Sequence, residues 1–453
     1  MEYVLRTERK ERVGFALFMG GQALFNSFVG SYVQVFFTDM GITAMTVGVI
    51  FIIARIWDAV NDPLFGGIVD HAHLKGGKFL PWLRIATVLV PLFMLLIFIM
   101  PAGLSPAVKI GWGAITYIFF GMAYTVCDVP IFSMTSAITD QIQERVSIMT
   151  RNTVVAAVAM LAITIAAPQL YLRFGWFATA LIIAVPGTAC MLYFVRVAKE
   201  RYVNKDTEPV TLKAMFSYVR NNKFLIIFFG GLFVMNMTAT TQAVAPYFAA
   251  ANLGNPGLAS ILFACVALPA MFVALFMPLL TKHLDKFHIL IFASITNGAL
   301  GIISFFVGYG NFPVFIALLL LRGIFMGTVL VTQLLFTADL VEYGEFKTGK
   351  RLQGTAYSIQ TFTFQLFNAV AVSGAMFILG IFGFVEGAGA VQGPVTRQAI
   401  WVLLTLFPSA GILLSMPILA KYRLRDKDVQ LMARVNSGEM TRDEAEAAFS
   451  YKY

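Results

Sequence analysis

Twelve separate stretches of this chain are each long and apolar enough to cross a lipid bilayer, which leaves few folds open. A hydrocarbon core about 30 Å thick is spanned by roughly 20 helical residues at about 1.5 Å rise each. The runs fall at 13–37, 44–69, 82–101, 108–137, 151–172, 176–197, 224–249, 257–281, 288–308, 312–337, 353–384 and 398–420. Backbone groups in lipid must be satisfied within the segment or within a closed barrel, and runs of this length predict helices. The expected class is an all-α membrane protein of twelve transmembrane helices. Of 453 residues 58% are hydrophobic and 13% charged, against about 25% charged in an ordinary soluble domain.

The few charges are sorted by membrane side. With the N-terminus placed in the cytoplasm, only Lys109, Arg173 and Arg397 fall outside and only Arg55 and Arg322 lie deep within spans, out of 33 Lys and Arg. The positive-inside rule therefore predicts a multi-pass protein of the cell membrane with both termini cytoplasmic. Residues 1–12 are polar and charged and no small-residue cleavage site follows, so a removable leader is not expected. The +9 net charge forms no single patch and gives no reason to expect nucleic acid. Cys127, Cys190 and Cys265 sit in apolar runs without metal-ligand or disulfide spacing. No HExxH, GxSxG or phosphate-loop motif is present, so neither an enzyme nor direct ATP drive is expected, and no cofactor.

The longest polar connection between spans, at 196–223, follows the sixth. It predicts an N-terminal six-helix bundle at 1–197, a linker at 198–223, a C-terminal bundle at 224–424 and a cytoplasmic tail at 425–453. Six plus six helices is the plan of major facilitator transporters, whose halves rock about a midplane site. The tail reads as solvated, with one short helix at 441–449 opened by Thr441 and Glu444 in a capping box.

Ionisable residues inside spans carry the functional signal, since each costs about 2.5 to 3.5 kcal/mol at a helix centre. The second run reads FIIARIWDAVNDPLFGGIVD, in which Asp58, Asn61 and Asp62 share one helical face with Arg55 a turn earlier. Two carboxylates one turn apart repel unless a cation or a proton is shared between them. The fourth run adds Thr125 and Asp128 at i, i+3, and Pro130 leaves the Val126 carbonyl without its helical donor. Asp58, Asn61, Asp62, Thr125 and Asp128 together offer only oxygen ligands, as hard cations prefer.

On these residues the sequence resembles the glycoside, pentoside and hexuronide cation symporters, the melibiose permease-like branch of the major facilitator superfamily. The segment 54–82 (ARIWDAVNDPLFGGIVDHAHLKGGKFLPW) is similar to that family's helix 2 and following loop. YTVCDVP at 124–130 is similar to its helix 4 motif, and ADLVEYGEFKTGKRLQGTAYSIQT at 338–361 to its loop between helices 10 and 11. The resemblance implies cation binding by those five residues, with Na⁺ the favoured coupling ion and H⁺ the alternative. For the solute it implies Gln22, Asp128, Phe132, Arg151, Asn152, Thr361 and Gln365. The family's helix 1 acid is replaced here by Gln22 and its helix 11 lysine by Gln365, while its helix 5 arginine falls at Arg151 or Asn152. Asp128 is the retained sugar-contacting acid. The resemblance implies a small sugar or glycoside as solute, whereas these neutral amides offer weaker hydrogen bonds than the family's charged groups and suit a neutral or more apolar one. A neutral non-sugar or amphipathic, lipid-like solute is the alternative.

Charges after the second, fourth and tenth spans predict a gate of ion pairs, with Arg145, Asp339, Glu342 and Arg351 as its members. Arg322, within LLLLRGIF, has no acidic partner in its own span. The expected partners are a small-molecule solute and the bilayer, with no obligate protein partner.

Overall fold

A computed structural model of the chain describes residues 6–72, 74, 76–202, 220, 222–349 and 353–451. All regular structure among them is helical, and twelve helical stretches are long and apolar enough to span a membrane. The first six are continuous: α1 (Arg9–Asp39), α2 (Ala44–His71), α3 (Leu80–Phe98), α4 (Pro106–Ile138), α5 (Ile142–Phe174) and α6 (Trp176–Val197). Four of them extend past the predicted runs at one or both ends, while α3 stops at Phe98 rather than 101 and α6 coincides with its run. The largest extension is at α5, which begins at Ile142 rather than 151 because good helix formers such as Gln143, Glu144 and Arg145 carry the helix out of the apolar segment.

The starts and stops have local causes. Thr43 opens α2 by accepting from the Thr46 N–H at 3.3 Å. Glu200 accepts from the N–H groups of Lys78, Phe79 and Leu80 at 2.7, 2.8 and 2.6 Å, satisfying the free donors at the start of α3. Gly175 alone separates α5 from α6, at φ +79°, a backbone region that a side chain disfavours.

The second half departs from the sequence expectation in three spans: the tenth runs on to Thr348, through much of the expected loop, and the seventh and twelfth are divided. The seventh is divided into α7 (Lys223–Asn236) and α8 (Thr241–Ala251), and α9 (Ala259–His283), α10 (Lys286–Val307), α11 (Phe312–Thr348) and α12 (Gln353–Ile381) follow. The twelfth is again divided, into α13 (Pro394–Leu404) and α14 (Leu406–Leu419). At the first break Thr238 and Thr240 hydroxyls bond to carbonyls of Met235 and Leu403, competing with helical pairing. At the second, Pro408 has no N–H to donate to the Leu404 carbonyl four residues before it.

The chain forms two compact units. One comprises 1–207, 249–261 and 376–396, the other 208–248, 262–375 and 397–453. In the first, Phe15 stacks on Phe194 with centroids 4.9 Å apart, and Tyr171 on Trp176 at 4.0 Å. In the second, Tyr422 is fully buried among Phe224, Phe228, Phe287 and Phe336. Such pairs add about 0.5 to 1.5 kcal/mol each beyond burial, useful where lipid removes the hydrophobic drive between helices.

The tail corrects the reading of it as solvated. Its helices α15 (Asp426–Asn436) and α16 (Arg442–Ala448) pack on the second unit. The Asn436 side-chain amide donates to both the backbone oxygen and the carboxylate of Glu342, at 3.0 Å each. Phe449 meets the Phe346 ring edge-on at 5.6 Å, and the Arg442 guanidinium lies 4.6 Å from the same ring. The capping box of Thr441 and Glu444 is present as predicted, whereas α15 was not anticipated.

Candidate functional site

Helix α2 packs along α4, and the polar residues of both meet at that seam. Arg55 Nη1 lies 3.1 Å from Asp58 Oδ2. One turn on, the Thr125 hydroxyl donates to Asp62 Oδ1 at 2.7 Å, and the Asn61 amide donates to the Thr125 oxygen at 3.0 Å. Thr125 has a second acceptor in the Gly121 carbonyl at 3.2 Å. A hydroxyl carries one hydrogen, so donation to Asp62 and donation to Gly121 exclude each other. Four of the five candidate cation residues, Asp58, Asn61, Asp62 and Thr125, therefore lie within one turn of each other on two facing helices.

Gly121 is a member of this arrangement that sequence reasoning missed. A Cβ at that position would lie 2.9 Å from Asp58 Oδ1, so the absence of a side chain is what admits the carboxylate. The signal was available: Gly121 precedes Thr125 by four residues on the same face of α4. Tyr117, one turn earlier still, adjoins Arg55 and Asp58 and was also overlooked.

Asp128, the fifth candidate, is bonded elsewhere. Its Oδ1 accepts from the Gln22 side-chain amide at 2.7 Å, joining α4 to α1. Gln22 is only 2% exposed, and its Oε1 has no hydrogen-bond partner among the described residues. Asn152 on α5 is likewise buried with an unpartnered Oδ1, while its neighbour Arg151 is exposed. Phe132, one turn after Asp128, is 53% exposed. In the second unit, Thr361 and Gln365 lie exposed one turn apart on α12, with the Thr361 hydroxyl donating to the Tyr357 carbonyl at 3.1 Å. Among the described residues no three His, Cys, Asp or Glu side chains converge as a metal cage. A cation entering between α2 and α4 would meet two carboxylates and otherwise neutral oxygens, the donor type that hard cations prefer.

A family model described as MFS/sugar transport protein matches residues 14–426 of the chain. The chain belongs to that family. Its relatives include the isoprimeverose transporter of Lactiplantibacillus pentosus, 28% identical with 93% of this chain and 90% of that one covered. Another is the inner membrane symporter YicJ of Escherichia coli, 26% identical over 91% of each chain. The solved nucleoside transporter NupG superposes with a TM-score of 0.65 at 14% identity, covering 92% of this chain and 100% of that one. At that identity the likeness establishes the fold, a major facilitator fold, and nothing finer. The resemblance drawn from the helix 2, helix 4 and helix 10 motifs is thereby upheld.

Within this sugar transport fold the predicted gate residues each have a partner in their own unit or lie outside the described residues. Arg145 donates to the carbonyls of Thr139 at 2.8 Å and Ser136 at 3.3 Å. Asp339 accepts from Lys286 Nζ at 2.7 Å, and the same ammonium lies 3.3 Å from Asp426 of the tail. Glu342 holds Asn436. Arg351 falls outside the described residues. Lys286 and Asp426 were not anticipated, because their partners are over 50 residues away in sequence. Among the described residues Arg322 pairs with no acid. It is 2% exposed and donates to the Leu404 carbonyl at 3.3 Å.

Proposed function

We propose that this transporter is a Na⁺-coupled symporter that imports a small sugar or glycoside across the cell membrane by alternating access, with both termini in the cytoplasm. The observation that carries the reading is the Asp58, Asn61, Asp62 and Thr125 cluster, in which one hydroxyl hydrogen has two competing acceptors. On Na⁺ entry Thr125 turns its hydrogen to the Gly121 carbonyl, so that its oxygen and the Asp62 carboxylate both face the ion. Asn61 follows by presenting its carbonyl oxygen. Asp58 completes the charge balance, exchanging part of its pairing with Arg55 for the cation.

Asp128 and Gln22 serve the solute. A sugar hydroxyl donating to Asp128 displaces the Gln22 amide, which then donates to a second sugar oxygen. Thr361, Gln365 and Asn152 add neutral hydrogen bonds, and Phe132 offers a ring face. This set favours a neutral glycoside over an amphipathic solute, because the buried amide oxygens of Gln22 and Asn152 call for a hydroxyl-rich partner. Gating falls to Arg145, Asp339, Glu342 and Arg351, with the six-helix halves at 1–197 and 224–424 as the rocking bodies. The test is thermal unfolding and sugar counterflow of the purified, reconstituted chain in NaCl against choline chloride. Na⁺ raises the unfolding temperature and stimulates counterflow, and Asp58→Cys abolishes both responses. An Asp58→Cys variant with undiminished Na⁺ dependence overturns the assignment, and dependence on pH in place of Na⁺ assigns the coupling to H⁺.

A further inference from the structure

Arg322 sits at membrane depth in α11, almost fully buried, and makes no ion pair among the described residues. A charge placed there is costly and marks a function. Its acceptor, the Leu404 carbonyl, is the one that Pro408 leaves without a helical donor, four residues on. Thr241, the first residue of α8, donates to the same oxygen at 3.3 Å, and Thr240 donates to the preceding carbonyl, Leu403, at 2.5 Å. The last two carbonyls of α13 are thus held by side chains from the break in the seventh span and from α11.

The packing around this point is close on both sides. A Cβ on Gly301 of α10 would fall 2.2 Å from Ser409 Oγ, 2.9 Å from the Thr405 carbonyl and 3.5 Å from Arg322 Nη2. A Cβ on Gly411 would fall 1.8 Å from Thr238 Oγ1. The two helix breaks therefore lie against each other, and neither has room for a side chain between them. Beyond the breaks, α8 runs into the stretch 249–261 and α13 begins within 376–396, both of which belong to the first unit.

We propose that Arg322 is a positioning residue that joins the bends of the seventh and twelfth spans into one hinge, so that α8 and α13 move together in the transport cycle. A single carbonyl could be capped by any neutral donor. A guanidinium has five N–H donors in a rigid fork, and here Nε has no hydrogen-bond partner among the described residues. That spare donor lets the group hold the carbonyls of the bend as they are exposed in turn, while the threonines transmit the change to the seventh span. The hinge needs neither the cation nor the solute, so its test can fail without touching the proposed transport reaction, and the reverse.

The measurement is hydrogen–deuterium exchange of the full-length protein in lipid nanodiscs, without Na⁺ or sugar, followed in peptides covering 235–245 and 400–412. Arg322→Met is expected to speed exchange at least tenfold in both regions, with Arg322→Lys restoring most of the protection. Pro408→Ala, which returns a donor to the Leu404 carbonyl, is expected to slow exchange in both. Acceleration confined to 400–412 overturns the joint hinge, since a merely local cap would behave that way. So does an unchanged pattern in Arg322→Met. If Arg322→Met does not fold, Pro408→Ala decides alone: slowing in both regions supports the hinge, and slowing in 400–412 only overturns it.

Discussion

Replacing Gly121 by alanine adds one methyl group at the point where α4 admits the Asp58 carboxylate. The new Cβ would stand 2.9 Å from Asp58 Oδ1, and ordinary contact begins at 3.4 Å, so the oxygen must withdraw by about 0.5 Å. In the proposed site that oxygen helps to hold Na⁺, at about 2.4 Å as hard cations are held by carboxylates. Drawing a unit charge back from about 2.4 to about 2.9 Å at an effective dielectric of about 20 removes about 1.2 kcal/mol of attraction. That is roughly a sevenfold loss of Na⁺ affinity. The assay is the Na⁺ concentration dependence of the unfolding temperature, which requires no knowledge of the sugar. Gly121→Ala is expected to shift the half-saturating Na⁺ concentration up roughly sevenfold, with little change in the Na⁺-free unfolding temperature. An unchanged Na⁺ midpoint together with a lowered Na⁺-free unfolding temperature would falsify the reasoning, since Asp58 would then be only a structural partner of Arg55.

Three further outcomes follow from contacts outside the α2 and α4 seam. Gln22→Ala leaves Asp128 without its amide donor, at a cost of about 1 to 3 kcal/mol, so thermal stability and sugar affinity both fall while the Na⁺-induced shift persists; its disappearance would place Asp128 among the cation ligands. Phe449→Ala removes the edge-to-face contact with Phe346, and limited proteolysis near the 437–441 turn should quicken several-fold; unchanged cleavage would show that Asn436 and Arg442 suffice to hold the tail. The same tail should loosen in acid. Glu444 is held below the ordinary glutamate value of 4.5 by the Thr441 hydroxyl and N–H, so its cap contributes above that pH and is lost as pH falls through the lower folded value.

Much of the fold was legible because hydropathy in lipid is a long-range constraint read one segment at a time. The twelve spans emerged from length and apolarity, and the α2 and α4 candidates from charges that lipid makes conspicuous. The breaks in the seventh and twelfth spans were not legible. Pro408 announces a weakened bond, but whether a helix bends there depends on what meets the freed carbonyl, and Arg322 and Thr241 are 82 and 163 residues away. The same holds for the tail. Asp428, Val429 and Met432 are buried in α15, yet three such residues in a charged segment look like chance until Phe346 and Glu342 are seen beside them. Gly121 is a different case: its spacing to Thr125 puts it on the candidate face, but one glycine among 37 does not by itself say which side chain it admits.

The spacing along α4 bears on why the two proposed sites should be coupled. Gly121, Thr125 and Asp128 fall at i, i+4 and i+7, on one stripe about 10 Å long at about 1.5 Å per residue. The cation partners occupy one end and the sugar acid the other. With Na⁺ absent, the like charges of Asp62 and Asp128 repel, which favours a proton being held by one of them. Na⁺ between Asp58 and Asp62 removes that repulsion and leaves Asp128 as a carboxylate, a stronger acceptor for a sugar hydroxyl than a carboxylic acid. Linkage then requires sugar to raise Na⁺ affinity by the same factor. Because the effect passes through charge at a distance rather than through contact, Asp62→Asn should yield a transporter that binds sugar as the Na⁺-loaded wild type does, with no further response to Na⁺. A sugar affinity in Asp62→Asn that still rises with Na⁺ would mean that the coupling runs through Asp128 itself.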